Sequence, residues 1–176
     1  MKLKEIAIYI LTFLLIFPLC GCRQSRTQIG TFFAMGSFVS QTVYGAENTV
    51  LETVKSDIIR AEEMLSHKNK DSKISLLNRE KTAVFDADTY DMLQRAVAFC
   101  ADSGGVFDIS LLSLTELWDF DSEHPSVPKD NDIQEALEKT GYKNIVFGEN
   151  NTVSLKNNVS LDLGALGKGY ACDIAV

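Results

Sequence analysis

The chain has 176 residues, 45% of them hydrophobic, and its 24 acidic residues against 17 basic ones leave a net charge of −7. That length supports one modest domain with a real core. The acidic balance argues against nucleic acid as a partner, since a phosphate backbone calls for clustered Lys and Arg; a phosphate-bearing small molecule, which needs only local positive potential, stays open.

Residues 1–21 read as a secretory signal and not as part of the fold. Lys2 and Lys4 form a positive n-region, the run from Ile6 to Leu19 is an apolar h-region, and "LCGC" closes it. Leu19 stands three positions before Cys22 and Gly21 directly before it. This is the pattern of a bacterial lipoprotein signal cut before Cys22, whose thiol then carries lipid. The apolar run falls short of the ~20 residues needed to span a bilayer. The expected location is therefore the cell membrane, with the chain lipid-anchored and facing the periplasm or outer surface. Residues 22–30, with the polar "RQSRTQ", read as a tether, and residues 31–176 as the domain.

With Cys20 removed and Cys22 lipidated, Cys100 and Cys172 remain, and their spacing neither compels nor forbids a disulfide. No CxxC pair is present, and His67 and His124 sit in unrelated polar stretches, which argues against zinc.

"TFFAMGSFVSQTVYG" (31–45) carries β-branched and aromatic residues on both sides of Met35-Gly36, which predicts extended structure broken or bulged at Gly36. A helix follows: Thr49 and Glu52 have capping-box spacing, and Val50, Val54, Ile58, Ala61 and Leu65 recur at three and four. "SHKNKDS" stops it. Residues 74–85 read as a mixed connection holding a short "TAVF" strand. A second helix is expected from about Asp88 to Asp102, with Leu93, Ala96, Val97 and Cys100 inward and Gly104-Gly105 as the stop.

"DISLLSLTELWDF" (108–120) suits a helical turn packing Leu111, Leu114 and Trp118, and "EHPSVPKD" an exposed loop. Asp130 or Asn131 is expected to cap a third helix through about Lys139, ended by Gly141. The remainder predicts a meander of "YKNIVF", "TVSL" and "VSLDL" joined by polar turns, for which antiparallel pairing is the economical solution. The expected class is α+β, a mostly antiparallel sheet with helices packed on one face.

The most chemical stretch is "VSLDLGALGKGYACDIAV" (159–176). Asp162 stands near the end of an expected strand, and Gly164, Gly167 and Gly169 allow a sharp turn and close backbone approach. Lys168 adds positive charge, and a helix begun at "YACDIAV" would offer unpaired N–H groups to an anion. It is not a Walker A loop: Asp162 occupies the position of the first glycine, and Gly169, not Ser or Thr, follows Lys168. Nor does a G-x-G follow the strand, as a dinucleotide fingerprint requires. The residues alone leave two readings, a pyrophosphate site or a plain strand–turn–helix connection.

"LDLGALGKGYACD" (161–173) resembles the signature of the ApbE family, FAD:protein FMN transferases. "FAMGSFVS" (33–40), "DSKISLLN" (71–78) and "SGGVFDISLLSLTELW" (103–118) are similar, in order, to three further motifs of that family. The resemblance implies an ApbE-like fold whose C-terminal half is missing here, since family members are about twice as long. Met35 would contact FAD, Val106, Phe107 and Asp108 would line the flavin or adenosine pocket, and Asp162 would hydrogen-bond FAD. Ala165 would give its backbone oxygen to Mg²⁺ and Lys168 would approach the phosphates. The implied partners are FAD, a target flavoprotein with an acceptor threonine, and the membrane through the N-terminal lipid. Mg²⁺ prefers hard oxygen ligands, usually including a carboxylate, so the rest of its shell is expected from a segment beyond Val176. Hydrolysis of FAD to FMN and AMP, or flavin binding without turnover, are the alternatives.

Overall fold

The computed structural model describes residues 27–45, 47–120 and 122–176. The stretch read as a signal sequence, and Cys22, read as its lipidation site, lie outside the described residues.

Strand β1 (Thr27–Ala34) and strand β2 (Ser37–Tyr44) form an antiparallel hairpin, with Ala34 paired to Ser37 and Thr27 to Tyr44. The Met35-Gly36 break is therefore a two-residue hairpin turn and not a bulge. Both residues have positive φ, 53° and 67°, the requirement of the turn whose twist matches its strands. β1 also takes in residues 27–30, part of the stretch read as a tether. Alternation leaves Ile29, Phe33, Phe38 and Tyr44 exposed on one face of the hairpin.

Helix α1 (Asn48–Leu65) buries Ile58, Ala61 and Leu65, as its periodicity predicts. The capping box is not formed. Glu47 is the N-cap and makes no side-chain cap bond, so Thr49 lies in the first turn, where its carbonyl accepts from Thr53 Oγ1 at 3.0 Å.

Helix α2 (Lys73–Glu80) occupies what the sequence reads as a mixed connection. Ser72 starts it by accepting from the Ser75 amide at 2.9 Å, and Lys81, at φ 59°, ends it. With only Ile74 and Leu77 fully buried, the helix is too short to announce itself by periodicity. Strand β3 (Thr82–Val84) follows.

Helix α3 (Ala87–Asp102) is capped by Asp86, which accepts from the Thr89 amide and hydroxyl, both at 2.8 Å. Its end is a paired glycine stop: Gly105 N donates to Cys100 O at 2.8 Å and Gly104 N to Ala101 O at 3.0 Å. Helix α4 (Leu112–Thr115) runs into a 3₁₀ turn (Glu116–Trp118), and Leu112 and Ile109, not Leu111, are the buried apolar residues there. Helix α5 (Asp130–Leu137) has Lys129 at its N-cap without a side-chain bond, so neither Asp130 nor Asn131 caps it.

Strand β4 (Ile145–Phe147) and strand β5 (Thr152–Leu155) pair antiparallel, and β3 pairs antiparallel with the other edge of β5. The architecture mixes helices with antiparallel sheets, as the sequence predicts. "VSLDL" does not continue the meander, however. It makes one parallel bridge, Leu111 with Ser160, and a backbone bond from Asp162 N to Ile109 O, and side chains supply further partners. Lys81 Nζ donates to Val159 O at 2.9 Å and to Ser160 Oγ at 3.0 Å, and burial holds that ammonium below its ordinary value.

The main core joins the β3-β5-β4 sheet to α2 and α3, with Leu77, Leu93, Val153 and Leu161 fully buried. A smaller cluster of Ala34, Ile58 and Ala171 fastens the hairpin and α1 to helix α6 (Gly164–Ile174). The glycine turn and later helix start expected near "YACD" are absent. The helix begins at Gly164, and Asp173 stands in its last turn.

Candidate active site

An open cleft of about 720 Å³ brings together four parts of the chain. One wall is the hairpin turn, Met35 and Gly36; another is the end of α1 with the following loop, Glu62 to Lys68; the third is the 3₁₀ turn after α4. Its floor is the start of α6, with Asp162, Gly164, Gly167 and Lys168. Segments from near both ends of the described chain therefore meet in one place.

Asp162 is the most heavily engaged acid of the cleft. Its Oδ1 accepts from the Gly164 amide at 2.8 Å and faces His67 Nδ1 at 3.5 Å, and its Oδ2 accepts from Thr115 Oγ1 at 3.2 Å. Its own amide donates to Ile109 O at 2.9 Å. The geometry also accounts for Gly164, because a Cβ there would lie 3.1 Å from Asp162 Oδ1 and press on the carboxylate. His67 is held by its backbone: its carbonyl accepts from Ser75 Oγ at 2.9 Å, tying the loop to α2.

The predicted residues divide. Met35, Asp162 and Lys168 line the cleft together. Val106, Phe107 and Asp108 are not part of that lining. Val106 is 92% exposed, and Phe107 packs edge-on against Phe99 with ring centroids 5.2 Å apart. Asp108 braces the chain: Oδ1 accepts from the Ser110 amide and hydroxyl at 2.8 and 2.6 Å, and Oδ2 from the Tyr142 amide at 3.0 Å. Ala165 is exposed in the first turn of α6. There its carbonyl serves the helix ladder, so only a second lone pair is left for a metal, unlike the free turn carbonyl expected from sequence.

His67, Thr115, Glu62 and Asp119 are cleft residues that sequence reasoning did not select. Nothing in their spacing announces them; His67 and Thr115 are brought to Asp162, distant in sequence, only by the fold. Glu62, Glu116, Asp119 and Asp162 outnumber Lys68 and Lys168 among the lining side chains. A bare diphosphate entering here would meet excess negative charge, and a companion cation would relieve it. Among the described residues no group of three His, Cys, Asp or Glu could hold a metal ion. The cleft's carboxylates, Glu62, Glu116, Asp119 and Asp162, are hard oxygen donors of the kind Mg²⁺ takes together with water and substrate phosphates. Cys100 is buried and Cys172 exposed, and both are free thiols.

The ApbE family model matches residues 35–176. The chain belongs to the ApbE family. It is 30% identical over 136 residues to an FAD:protein FMN transferase of Treponema pallidum (strain Nichols), covering 72% of this chain and 38% of that protein. A second FAD:protein FMN transferase, from Klebsiella pneumoniae (strain 342), is 26% identical over 144 residues, covering 79% and 46%. The crystal structure of the ApbE protein of Thermotoga maritima superposes with a TM-score of 0.79 at 33% identity, covering 85% of this chain and 51% of that one. The flavinyl transferase ApbE of Pseudomonas stutzeri matches in fold, with a TM-score of 0.78 at 22% identity, covering 88% and 52%. The chain thus spans about half the length, or less, of the relatives it matches. Within this ApbE chain, the "LDLGALGKG" motif is the cleft floor and the Met-Gly motif is its facing wall.

Proposed function

We propose that this cleft is the diphosphate-binding part of an FAD:protein FMN transferase. The observation that carries the reading is the convergence of Met35 and Gly36 with Asp162, Gly164, Gly167 and Lys168 on one cleft, in a family whose curated relatives bear that name. In the proposed reaction a threonine hydroxyl of a target flavoprotein attacks the FMN phosphorus of FAD. The bond from that phosphorus to AMP breaks, and AMP leaves with the electron pair. Lys168 attracts the phosphates and Asp162 accepts a hydrogen bond from the ligand, while Met35 covers it from the hairpin side. When bound, Mg²⁺ supplies charge neutralisation on the diphosphate, with the Ala165 carbonyl as the backbone oxygen proposed to hold it. Positioning and charge neutralisation are the main levers for phosphoryl transfer. Lipid attachment at Cys22 would place the reaction at the outer face of a membrane.

The test is incubation with FAD, Mg²⁺ and a threonine-bearing flavoprotein, following AMP release and a mass increase of one FMN on the acceptor. Since the chain spans about half the length of its relatives, binding of FAD by the chain itself is measured alongside by flavin fluorescence. AMP release without an acceptor identifies hydrolysis instead. A chain that neither binds FAD nor consumes it with Mg²⁺ overturns the proposal.

A further inference from the structure

The segment carrying Asp162 has no strand ladder to hold it, yet Leu161 beside it is fully buried. Both backbone groups of Leu161 are satisfied by one side chain. Its amide donates to Asn78 Oδ1 at 2.7 Å, and its carbonyl accepts from Asn78 Nδ2 at 2.9 Å. A primary amide presents a donor and an acceptor side by side, so Asn78 reproduces the pair of hydrogen bonds that a neighbouring strand would supply. On the far side, Asp162 N is fixed to Ile109 O at 2.9 Å. The carboxylate therefore leaves a backbone clamped on both flanks.

We propose that Asn78 is a positioning residue of the cleft: the carboxamide at the end of α2 sets the backbone at Leu161 and so aims Asp162 at the Gly164 amide, Thr115 and the ligand. This deepens the flavin reading, because Asp162 faces the space proposed for FAD. It also explains why an asparagine is found where α2 ends against the buried segment. Removing it would leave two buried backbone groups of Leu161 without hydrogen-bond partners, and leave Asp162 anchored from one side.

The Gly164 amide proton tests this without any ligand, since it lies against Asp162 Oδ1. Its NMR shift is measured in the full chain, with Asp162→Ala defining the value when that hydrogen bond is lost. Asn78→Ala should move the Gly164 proton most of the way to the Asp162→Ala value. Asn78→Asp keeps an acceptor for the Leu161 amide and loses the donor, so it should move the proton part of the way; it also supplies the readout if Asn78→Ala does not fold. Val153→Ala, which opens a cavity in the central strand away from the cleft, should leave the proton at its wild-type position. An unmoved proton in the Asn78 variants overturns the assignment, and so does an equal movement in Val153→Ala, which would mean general loosening. Failure of FAD to bind would leave this readout intact, so the two proposals fail separately.

Discussion

Thr115 Oγ1 lies 3.2 Å from Asp162 Oδ2, joining the short α4 helix to the entrance of α6 across 47 residues of chain. The same hydroxyl lies 3.1 Å from the carbonyl of Leu112, so Thr115 links the end of its own helix to the cleft acid. Thr115→Val keeps the shape and removes the hydroxyl. The expected loss is about 1 kcal/mol, below the usual range for a hydrogen bond to a charged group because the pair is exposed. Thermal unfolding should show it as a fall of roughly 2–4 °C, with FAD affinity falling in parallel.

Gly169 stands inside α6, and a Cβ built there meets nothing within 4 Å. Glycine in a helix interior is about 1 kcal/mol less favourable than alanine. Gly169→Ala should therefore raise the unfolding midpoint. If FAD approaches this face of the helix, the same variant should bind FAD more weakly while being more stable. An unchanged affinity would remove that face from the binding surface.

Asp86 supplies the acid-dependent part of helix stability. Burial pushes its carboxyl up, but the amide and hydroxyl of Thr89 outweigh that and hold it below its ordinary value. A depressed carboxyl binds its proton more readily in the unfolded chain, so stability rises with pH. The contribution is full above the ordinary value of 3.8 and fades as pH falls through the lower folded value. Denaturant unfolding should show Asp86→Ala to be less stable than wild type by about 1 kcal/mol near neutrality, with the difference narrowing in acid. A constant difference down to pH 2 would contradict the cap.

Asp108 is a brace in this structure, tying Ser110 and Tyr142 together. Asp108→Ala should destabilise by about 2 kcal/mol, the range of hydrogen bonds to charged groups. A variant with an unchanged melting curve and lost FAD binding would instead return Asp108 to the ligand pocket implied by the family resemblance.

Leu77, at 0% exposure, sits where α2 meets the three-stranded sheet. Leu77→Ala should cost 2–5 kcal/mol, roughly the range for such truncations with their cavities, and chemical denaturation would read it directly. A loss under about 1 kcal/mol would mean that the core collapses around the gap.

Much of this architecture is legible in the residues. The glycine pair after α3, the apolar spacing of α1 and the asparagine turns of the β4-β5 hairpin act locally, and local chemistry is what a single sequence records. Helix α2 escaped because eight residues with two buried positions give no measurable period. "VSLDL" reads as a strand because its apolar alternation is that of a strand, but instead of a sheet neighbour it found Asn78, Lys81 and the backbone around Ile109. The cleft divides in the same way. Met35, Asp162 and Lys168 are marked by motifs, whereas His67 and Thr115 reach Asp162 only through the tertiary fold, and no spacing rule connects them.

A carboxylate can only receive hydrogen bonds, and Asp162 already receives two. On the proposed reading, a ligand group that hydrogen-bonds to it directly would be a proton-bearing one, such as a ring imide or a hydroxyl, and the phosphoryl oxygens would lie nearer Lys168. A two-ended ligand bound in this way would lie along α6 in one direction only.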